Sequence, residues 1–282
     1  MIDLHTHSTC SDGSESPTRV VELAVGAGLS ALALTDHDGL GGIDEARRAA
    51  EAGGLELVPG CEVSCRFSPG TLHLLCYFVE PGEGPLQSQL AQLRRDRAER
   101  NVRLVARLNE LGIDLTLAEV EARAGGTTLG RPHFAKALVD KGVVTTYEEA
   151  FEDLLGKGGS AYIPKAFISA ETTIEAAAGS GALVSLAHPF SLGLDPDGLD
   201  RMLAELAAAG LAGLECHYGR YGTEERAALT ALAARHHLVA TGGSDFHGSF
   251  KPDVAVGTGE GDLAVPDSVL AELRARRPAA GR

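Results

Sequence analysis

Short apolar runs alternate with amphipathic segments along most of the chain. Residues 31–35 and 182–186 are two such runs, short and largely apolar, as the buried strands of a parallel sheet are. The segments between the runs carry apolar residues at helical spacing. Ser16-Pro17 is a typical helix start, with serine as the N-cap and proline at the first position. This alternation predicts an α/β fold in which right-handed crossovers join parallel strands.

The length of the chain favours a closed arrangement of these strands. At 282 residues, a barrel related to the TIM type is favoured over an open, doubly wound sheet. The strands at residues 63–67 and 71–78 would form a hairpin around Ser68-Pro69-Gly70. All predicted strands lie at residues 2–4, 31–35, 55–59, 63–67, 71–78, 182–186, 213–215 and 238–241.

The pattern changes in the middle of the chain. Between residues 83 and 159 the spacing is helical, with almost no strand signal. We therefore predict that residues 1–82 and 160–282 form the barrel. The segment 83–159 would form a small all-helical domain, inserted at the rim of the barrel, that acts as a substrate-binding cap.

A long helix at residues 86–111 carries two arginines where its apolar stripe predicts leucine. Arg97 and Arg100 occupy the gap in a stripe made of Leu86, Leu90, Leu93, Leu104, Leu108 and Leu111. An unpaired charge on such a face is costly, whereas a guanidinium is suited to binding phosphate through two parallel hydrogen bonds.

We predict that Arg97 and Arg100 bind substrate. Arg131 and His133 would join them from the start of a later helix, because a helix N-terminus attracts anions. The alternatives are an ion pair with Asp96, Glu99 or another acid, or a stripe that turns towards solvent.

The charge of the chain narrows the class of partner. Acidic residues outnumber basic ones by 39 to 25, which gives a formal net charge of −14. Proteins that bind long nucleic acids usually have basic surfaces, so we expect a small nucleotide or a short oligonucleotide rather than a long duplex. No protein partner is implied. The sequence has no secretory signal and no membrane-length apolar run, and its five cysteines are typical of reduced thiols, which predicts a cytoplasmic protein.

Histidines and carboxylates directly follow the predicted strands. In a parallel barrel the carboxyl ends of the strands share one face, so these side chains should converge. The candidate metal ligands are His5, His7, Asp12, His37, Glu62, His73, His188, Asp245 and His247. Imidazole and carboxylate ligands suit Mn, Zn or Fe. Nine ligands are too many for one ion, so we predict two to three divalent ions, with manganese favoured and Glu62 as a bridge.

Closely spaced metal ions polarise a phosphate and produce a hydroxide nucleophile near neutral pH. The residues that we expect to carry the chemistry are Asp12, His37, His188, Asp245 and His247. His188 or Asp245 could protonate the leaving group if it is not fully engaged with metal. His236 and His237 lie late in a helix and should complement its dipole, while the role of His217 stays open.

These residues resemble the motifs of the PHP (polymerase and histidinol phosphatase) superfamily. The similar segments, which span nearly the whole chain, are Leu4-His5-Thr6-His7-Ser8 with Ser11-Asp12-Gly13, Thr35-Asp36-His37, Ala187-His188-Pro189 and Gly243-Ser244-Asp245-Phe246-His247. The resemblance implies a distorted seven-stranded barrel with a trinuclear metal site. It assigns His5, His7, Glu62 and Asp245 to one ion, Asp12, His37 and His247 to a second, and Glu62, His73 and His188 to a third.

Within the superfamily, the chain is similar to the stand-alone group that carries a helical insert. Gly130-Arg131-Pro132-His133-Phe134, in the insert of this chain, resembles a further motif of that group. Members of that group include 3′,5′-nucleoside bisphosphate phosphatases, 5′–3′ exonucleases of short RNA and an AMP phosphatase. The resemblance therefore implies hydrolysis of nucleotide phosphomonoesters, foremost the 3′-phosphate of 3′,5′-bisphosphates, with exonuclease activity on short RNA as an extension. The alternatives are an AMP or histidinol phosphatase, a non-catalytic PHP module, or a metallo-amidohydrolase, for which the sequence offers no good bridging lysine.

Overall fold

Seven strands follow one another in sequence order around a nearly closed barrel. The computed structural model describes residues 1–124, 129–164 and 167–277. The strands are β1 (Ile2–Thr6), β2 (Ala31–Leu34), β3 (Glu56–Cys65), β4 (Leu72–Tyr77), β5 (Leu183–Leu186), β6 (Gly213–Tyr218) and β7 (Val239–Gly243). All neighbouring pairs within this order are parallel except those of β4, which runs antiparallel to β3 and β5.

The first and last strands approach each other at the end of the barrel where the histidines lie. The backbone N–H of His7 donates to the carbonyl of Phe246 over 2.9 Å, and that of Asp245 donates to the carbonyl of His5 over 2.8 Å. Gly243 permits this approach, because a Cβ atom at that position would lie 2.4 Å from the Cβ of His5. Closure of the barrel thus places the two ends of the chain in one site.

Glu62 lies inside a strand rather than after one. We expected separate strands at 55–59 and 63–67, and this prediction is wrong, because β3 is continuous over ten residues. Its first half pairs with β2 and its second half with β4, so hydrogen bonds support it throughout. Glu62 is level with the end of β2, where its N–H donates to the carbonyl of Thr35 over 3.0 Å.

The barrel interior is a packed core. Residues from six strands form one cluster, which includes Leu4, Ala33, Leu75 and Tyr77, and α10 (Ser268–Arg276) joins it through Leu273. A second cluster lies between the strands and the outer helices α1 (Pro17–Gly26), α2 (Ile43–Gly53), α7 (Ala170–Gly179), α8 (Pro196–Ala208) and α9 (Thr223–Arg235).

The middle of the chain is helical, as the spacing predicts. It contains α3 (Pro85–Glu110), α4 (Leu117–Ala124), α5 (Arg131–Asp140) and α6 (Tyr147–Glu149), which continues as a π-helical turn (Ala150–Leu155). These helices share a hydrophobic cluster of their own, with Phe134 and Leu138 fully buried. The inserted domain and its boundaries stay a prediction. Within the described ranges, no helix is both long enough and apolar enough to cross a bilayer.

One face of α3 meets three different surroundings. Leu86, Leu90 and Leu93 pack into the outer core of the barrel, and Leu104 and Leu108 pack into the cluster of the helical segment. Arg97 and Arg100 lie between the two and are 6% and 4% exposed. Leu111, the last residue of the predicted stripe, lies beyond the helix end and is exposed. The arginines are therefore at the junction of the two apolar clusters.

Candidate metal centre

Four side chains form the most deeply buried part of the site. The Nε2 atoms of His5 and His7 are 3.1 Å apart. The Glu62 carboxylate lies 3.3 Å from the first and 3.2 Å from the second, and Asp245 Oδ1 lies 3.4 Å and 3.3 Å from them. Each of the two carboxylates thus lies within 3.4 Å of both ring nitrogens.

A second group surrounds Asp12, on the loop after β1. Asp12 Oδ2 lies 3.5 Å from His37 Nε2, and Asp12 Oδ1 lies 3.4 Å from His247 Nε2. His7 also belongs here, because its Nδ1 atom is 3.7 Å from Asp12 Oδ1. One ligand atom from each of these four residues can be chosen so that all lie within 4.8 Å of one another, a spacing that could hold a metal ion.

A third group surrounds the second oxygen of Glu62. Glu62 Oε1 lies 2.8 Å from His73 Nδ1 and 2.9 Å from His188 Nε2. His73 lies near the start of β4, and because that strand is antiparallel, its start is at the same end of the barrel as the other ligands. Glu62 Oε2 also approaches His37 Nδ1 over 3.3 Å, so this carboxylate contacts all three groups.

The structure thus gathers all nine predicted ligand residues. The site also contains a residue to which the sequence interpretation gave no role. Glu215, fully buried on β6, accepts a hydrogen bond from His5 Nδ1 over 2.8 Å, and its other oxygen accepts from the backbone N–H of His188 over 2.6 Å. This contact fixes the tautomer of His5 that leaves Nε2 as a ligand atom. In the sequence, the signal for this role was a glutamate at the end of a short apolar strand.

Two other buried carboxylates hold the ligand loops. Asp36 accepts hydrogen bonds from the hydroxyls of Ser8 and Ser11 over 2.7 Å and 2.6 Å, which fixes the loop leading to Asp12. Asp3 accepts from the backbone N–H groups of Ser244 and Gly257 over 2.9 Å and 2.8 Å, and so holds the segment that precedes Asp245. Asp36 stands in a motif segment, but its role was not predicted.

The ligands also shift one another's pKa values. Burial lowers the pKa of His37 to about 3, so its ring is neutral near pH 7, as a metal ligand must be. Burial also acts to lower the pKa of His7, but Asp245 and Glu62 outweigh it and raise the pKa to about 9. Burial acts to raise the pKa of Asp12, but the surrounding histidines, His37 first, hold it well below its usual value. The cluster therefore favours ionised carboxylates that attract cations.

Three of the five described non-glycine residues with positive φ angles lie at the site or next to it. Asp38, His188 and Asp245 have positive φ angles of 52°, 25° and 57°. Non-glycine residues rarely adopt this region, and such residues cluster at functional sites because the surrounding structure must hold them there.

The predicted substrate arginines line a cavity of about 210 Å³ beside the metal ligands. Its walls include Arg97, Arg100 and Arg131 together with Asp12, His37 and His73. Arg97 forms a buried ion pair with Asp38, so the expected alternative of pairing with an acid applies to this arginine. Arg100 donates to Asn101 Oδ1 over 2.7 Å, and its Nε has no hydrogen-bond partner among the described residues.

The remaining histidines have different surroundings. His133 is buried at the start of α5, where its Nδ1 accepts a hydrogen bond from the backbone N–H of Gly130 over 3.0 Å. His236 follows the last residue of α9, and its Nε2 lies 2.8 Å from Asp200 Oδ1 on α8. His217 lies on β6, half buried, and is not one of the clustered ligand residues.

Known proteins match the chain along nearly its whole length. The sequence profile of the PHP domain family matches residues 3–160. A 3′,5′-nucleoside bisphosphate phosphatase from Chromobacterium violaceum is 33% identical over 281 residues, which cover 99% of each chain. The 5′-3′ exoribonuclease Rnm from Escherichia coli is 33% identical over 247 residues, which cover 87% of this chain and 84% of Rnm.

Two solved structures have the same fold, each with a TM-score of 0.85. One, from Bifidobacterium adolescentis, is assigned as a metal-dependent phosphoesterase; it is 35% identical, and the match covers 99% of this chain and 97% of that one. The other, from Chromobacterium violaceum, is described as an amidohydrolase with bound sulfate; it is 33% identical, and the match covers 99% and 98%. These matches confirm the predicted fold class and resemblance: the chain belongs to the PHP domain family.

Proposed function

We propose that this protein is a metal-dependent phosphoesterase that removes the 3′-phosphate from 3′,5′-nucleoside bisphosphates. Two to three divalent ions, with manganese favoured, would be held by the nine clustered residues. The observation that carries the proposal is the position of the arginine-lined cavity, which shares Asp12, His37 and His73 with the ligand cluster. A place for a second phosphate thus adjoins the place for the phosphate that is cleaved.

The donor set fits metal ions. An ion with four tetrahedral ligands at 2.0–2.1 Å separates those ligands by about 3.3–3.4 Å. The ligand atoms of His5, His7 and Asp245 are 3.1–3.4 Å apart, and the Glu62 carboxylate lies 3.3 Å and 3.2 Å from the two histidine nitrogens. In addition, Asp12 Oδ1 and His37 Nδ1 are buried without a hydrogen bond among the described residues. A buried polar atom needs such a partner, and a cation would supply it.

When bound, divalent ions polarise a phosphoryl oxygen. They also lower the pKa of water, so that hydroxide is available to attack phosphorus near neutral pH. The residues of the chain orient the substrate and control protons. Arg100 and Arg131 would hold the second phosphate, with Arg97 beside them. Asp245 is unsuited to protonate the leaving group, because its pKa is well below the usual value. Burial acts to raise this pKa, but Lys251 and the nearby histidines outweigh burial. His188 is the candidate acid if it is not fully engaged with metal: burial acts to lower its pKa, but Glu62 raises it.

The substrate class follows from the relatives and from the charge of the cavity. The Chromobacterium violaceum relative is named for 3′,5′-bisphosphates and matches this chain from end to end. A short 5′-phosphorylated RNA would offer a phosphate to the same arginines, which supports exonuclease activity as a second function. AMP and histidinol phosphate each carry one phosphate and would leave Arg100 and Arg131 without an anion. We also place the protein in the cytoplasm, because all five of its cysteines are free thiols.

A phosphate-release assay tests this proposal. The purified protein would be loaded with Mn²⁺ and given adenosine 3′,5′-bisphosphate, AMP, histidinol phosphate and a 5′-phosphorylated trinucleotide, with a chelator-treated sample as the control. We expect metal-dependent release, with the highest kcat/KM for the bisphosphate. Metal-independent release would contradict the metal centre, and a preference for a single-phosphate substrate would contradict the assigned substrate.

A further inference from the structure

A second, larger cavity opens on the other side of Asp12. It has a volume of about 630 Å³, within the range of about 300–1,000 Å³ that is usual for small-molecule sites. Asp12 and His247 lie on its inner wall, so it begins at the metal ligands. Its other walls are mainly apolar and include Phe250, Tyr147 and Phe151. We name it the aromatic cleft.

The aromatic rings come from two separate parts of the fold. Phe250 lies on the short 3₁₀ turn that directly follows His247, whereas Tyr147 begins α6 in the helical segment. Their ring centroids are 6.5 Å apart and their planes meet at 62°. Both rings are half buried, so each keeps part of its surface open to the cleft. The cleft is therefore a gap between the barrel and the helical segment, open to a flat ligand.

The aromatic cleft and the arginine-lined cavity meet. They share Asp12, Pro132 and Phe151, so one molecule can extend into both while a third group lies over the metal ligands. A nucleoside 3′,5′-bisphosphate has three such groups: two phosphates and a base, joined by one ribose. The chemistry also fits, because guanidinium groups bind phosphate and aromatic rings stack on bases.

We propose that the aromatic cleft binds the nucleobase of the substrate, with Phe250 and Tyr147 as its stacking residues. This assignment rests on the proposed function and adds the part of the substrate that neither the metal ligands nor the arginines contact. Stacking suits every base, since each has a flat π-face. Apolar walls predominate in the cleft, so purine and pyrimidine substrates should be hydrolysed with similar kcat/KM.

The test compares two substrates that differ only in the base. Adenosine 3′,5′-bisphosphate carries one, and 1-deoxyribose 3,5-bisphosphate does not. For Phe250→Ala and, separately, Tyr147→Ala, kcat/KM for the nucleotide should fall by about ten-fold to a hundred-fold, as expected for the loss of one stacking contact. The value for the base-free substrate should stay within about two-fold. Phe190→Ala is the matched control, because Phe190 is an exposed aromatic residue close to His188, outside the walls of the cleft.

Each result decides the assignment. A loss on the nucleotide alone supports it. Equal losses on both substrates would mean that Phe250 or Tyr147 only maintains the fold, and a selective loss in Phe190→Ala would put the base on the side of His188. If the unaltered enzyme hydrolyses both substrates equally well, the base has no site, although the proposed phosphatase function stands. If it hydrolyses neither, the proposed function itself fails.

Discussion

The guanidinium of Arg97 and the buried carboxylate of Asp38 form an ion pair that joins α3 to the loop after β2. Asp38 lies next to His37 in the sequence, and it also accepts a hydrogen bond from the backbone N–H of Ser64 over 3.0 Å. The pair therefore links the helical segment to the strand ends that carry the candidate metal ligands. Arg97 and Arg100, which look equivalent in the sequence, have different surroundings.

Arg97→Ala should destabilise the protein as well as affect catalysis. Removing one partner from a buried ion pair leaves the other charge uncompensated, which costs about 3–5 kcal/mol. We expect a lower free energy of unfolding, measured by urea denaturation. The double substitution Arg97→Ala with Asp38→Asn should recover part of the loss, because it removes the charge left behind. Unchanged stability in Arg97→Ala would show that the pair does not support the fold.

Arg100→Ala should act on substrate choice. Burial, with Arg97 and Arg131 nearby, lowers the pKa of Arg100 to about 9, so it still carries a positive charge at pH 7. A charge-assisted hydrogen bond is worth about 1.5–3 kcal/mol, so kcat/KM for a 3′,5′-bisphosphate should fall about ten-fold to a hundred-fold. The value for p-nitrophenyl phosphate, which has no second phosphate, should barely change.

The matched control is Arg103→Ala, since Arg103 is exposed on the same helix. It should leave both substrates unaffected. If Arg100→Ala lowers turnover of both substrates equally, the arginine has a structural role instead, and the preference for bisphosphates loses its basis.

Asp12→Ala and His247→Ala should each abolish nearly all phosphatase activity and reduce the number of bound ions. Both residues belong to the group around Asp12, on loops that contribute little to the core. Elemental analysis should give two to three ions per chain for the unaltered protein and fewer for either variant, with unchanged circular dichroism. Activity retained with one ion or none would contradict a multinuclear centre.

Metal affinity should fall as the pH falls. The pKa of His7 is raised to about 9 in the ion-free protein, so below that pH the ring holds a proton that must leave before the ring can bind a metal ion. For each proton that the metal ion displaces, the apparent dissociation constant of the metal should therefore increase about ten-fold per pH unit below pH 9. Titration calorimetry at pH 7 in buffers with different ionisation enthalpies would measure the released protons; a value of zero would contradict this coupling.

The clustering of the candidate metal ligands is predictable from the sequence because few structural roles place imidazole and carboxylate side chains directly after apolar strands. His7, Asp245 and His247 follow this rule, whereas His5 lies inside β1, and closure of the barrel brings all four together. Glu62 is a ligand candidate for a different reason. It lies inside a strand that changes partners, and this change of pairing has no local sequence signal.

Contacts between distant residues are not predictable in this way. The pairing of Arg97 with Asp38 depends on how α3 lies across the barrel, which the helical spacing does not specify. The same limit applies to Glu215, which contacts His5 across a separation of 210 residues. In the sequence it is one polar position at the end of a short strand.

Glu215→Gln should weaken metal binding while leaving the fold intact. The carboxylate of Glu215 accepts the Nδ1 proton of His5 and so orients the ring. Glutamine has the same shape, and its one amide oxygen can still accept from His5 Nδ1, but it lacks the negative charge that makes the ring a stronger ligand. Its NH2 group cannot accept from the backbone N–H of His188. Loss of such an outer partner costs about 10–100-fold in metal affinity, so we expect a Mn²⁺ dissociation constant larger by about that factor. Raising the Mn²⁺ concentration should restore most of the activity. Glu215→Ala is the harsher comparison, because it removes the acceptor of both hydrogen bonds, from His5 and from the backbone N–H of His188, and should lower thermal stability further. If Glu215→Gln lowers activity at saturating Mn²⁺ and leaves the dissociation constant unchanged, Glu215 contributes to the chemistry directly and not by orienting His5.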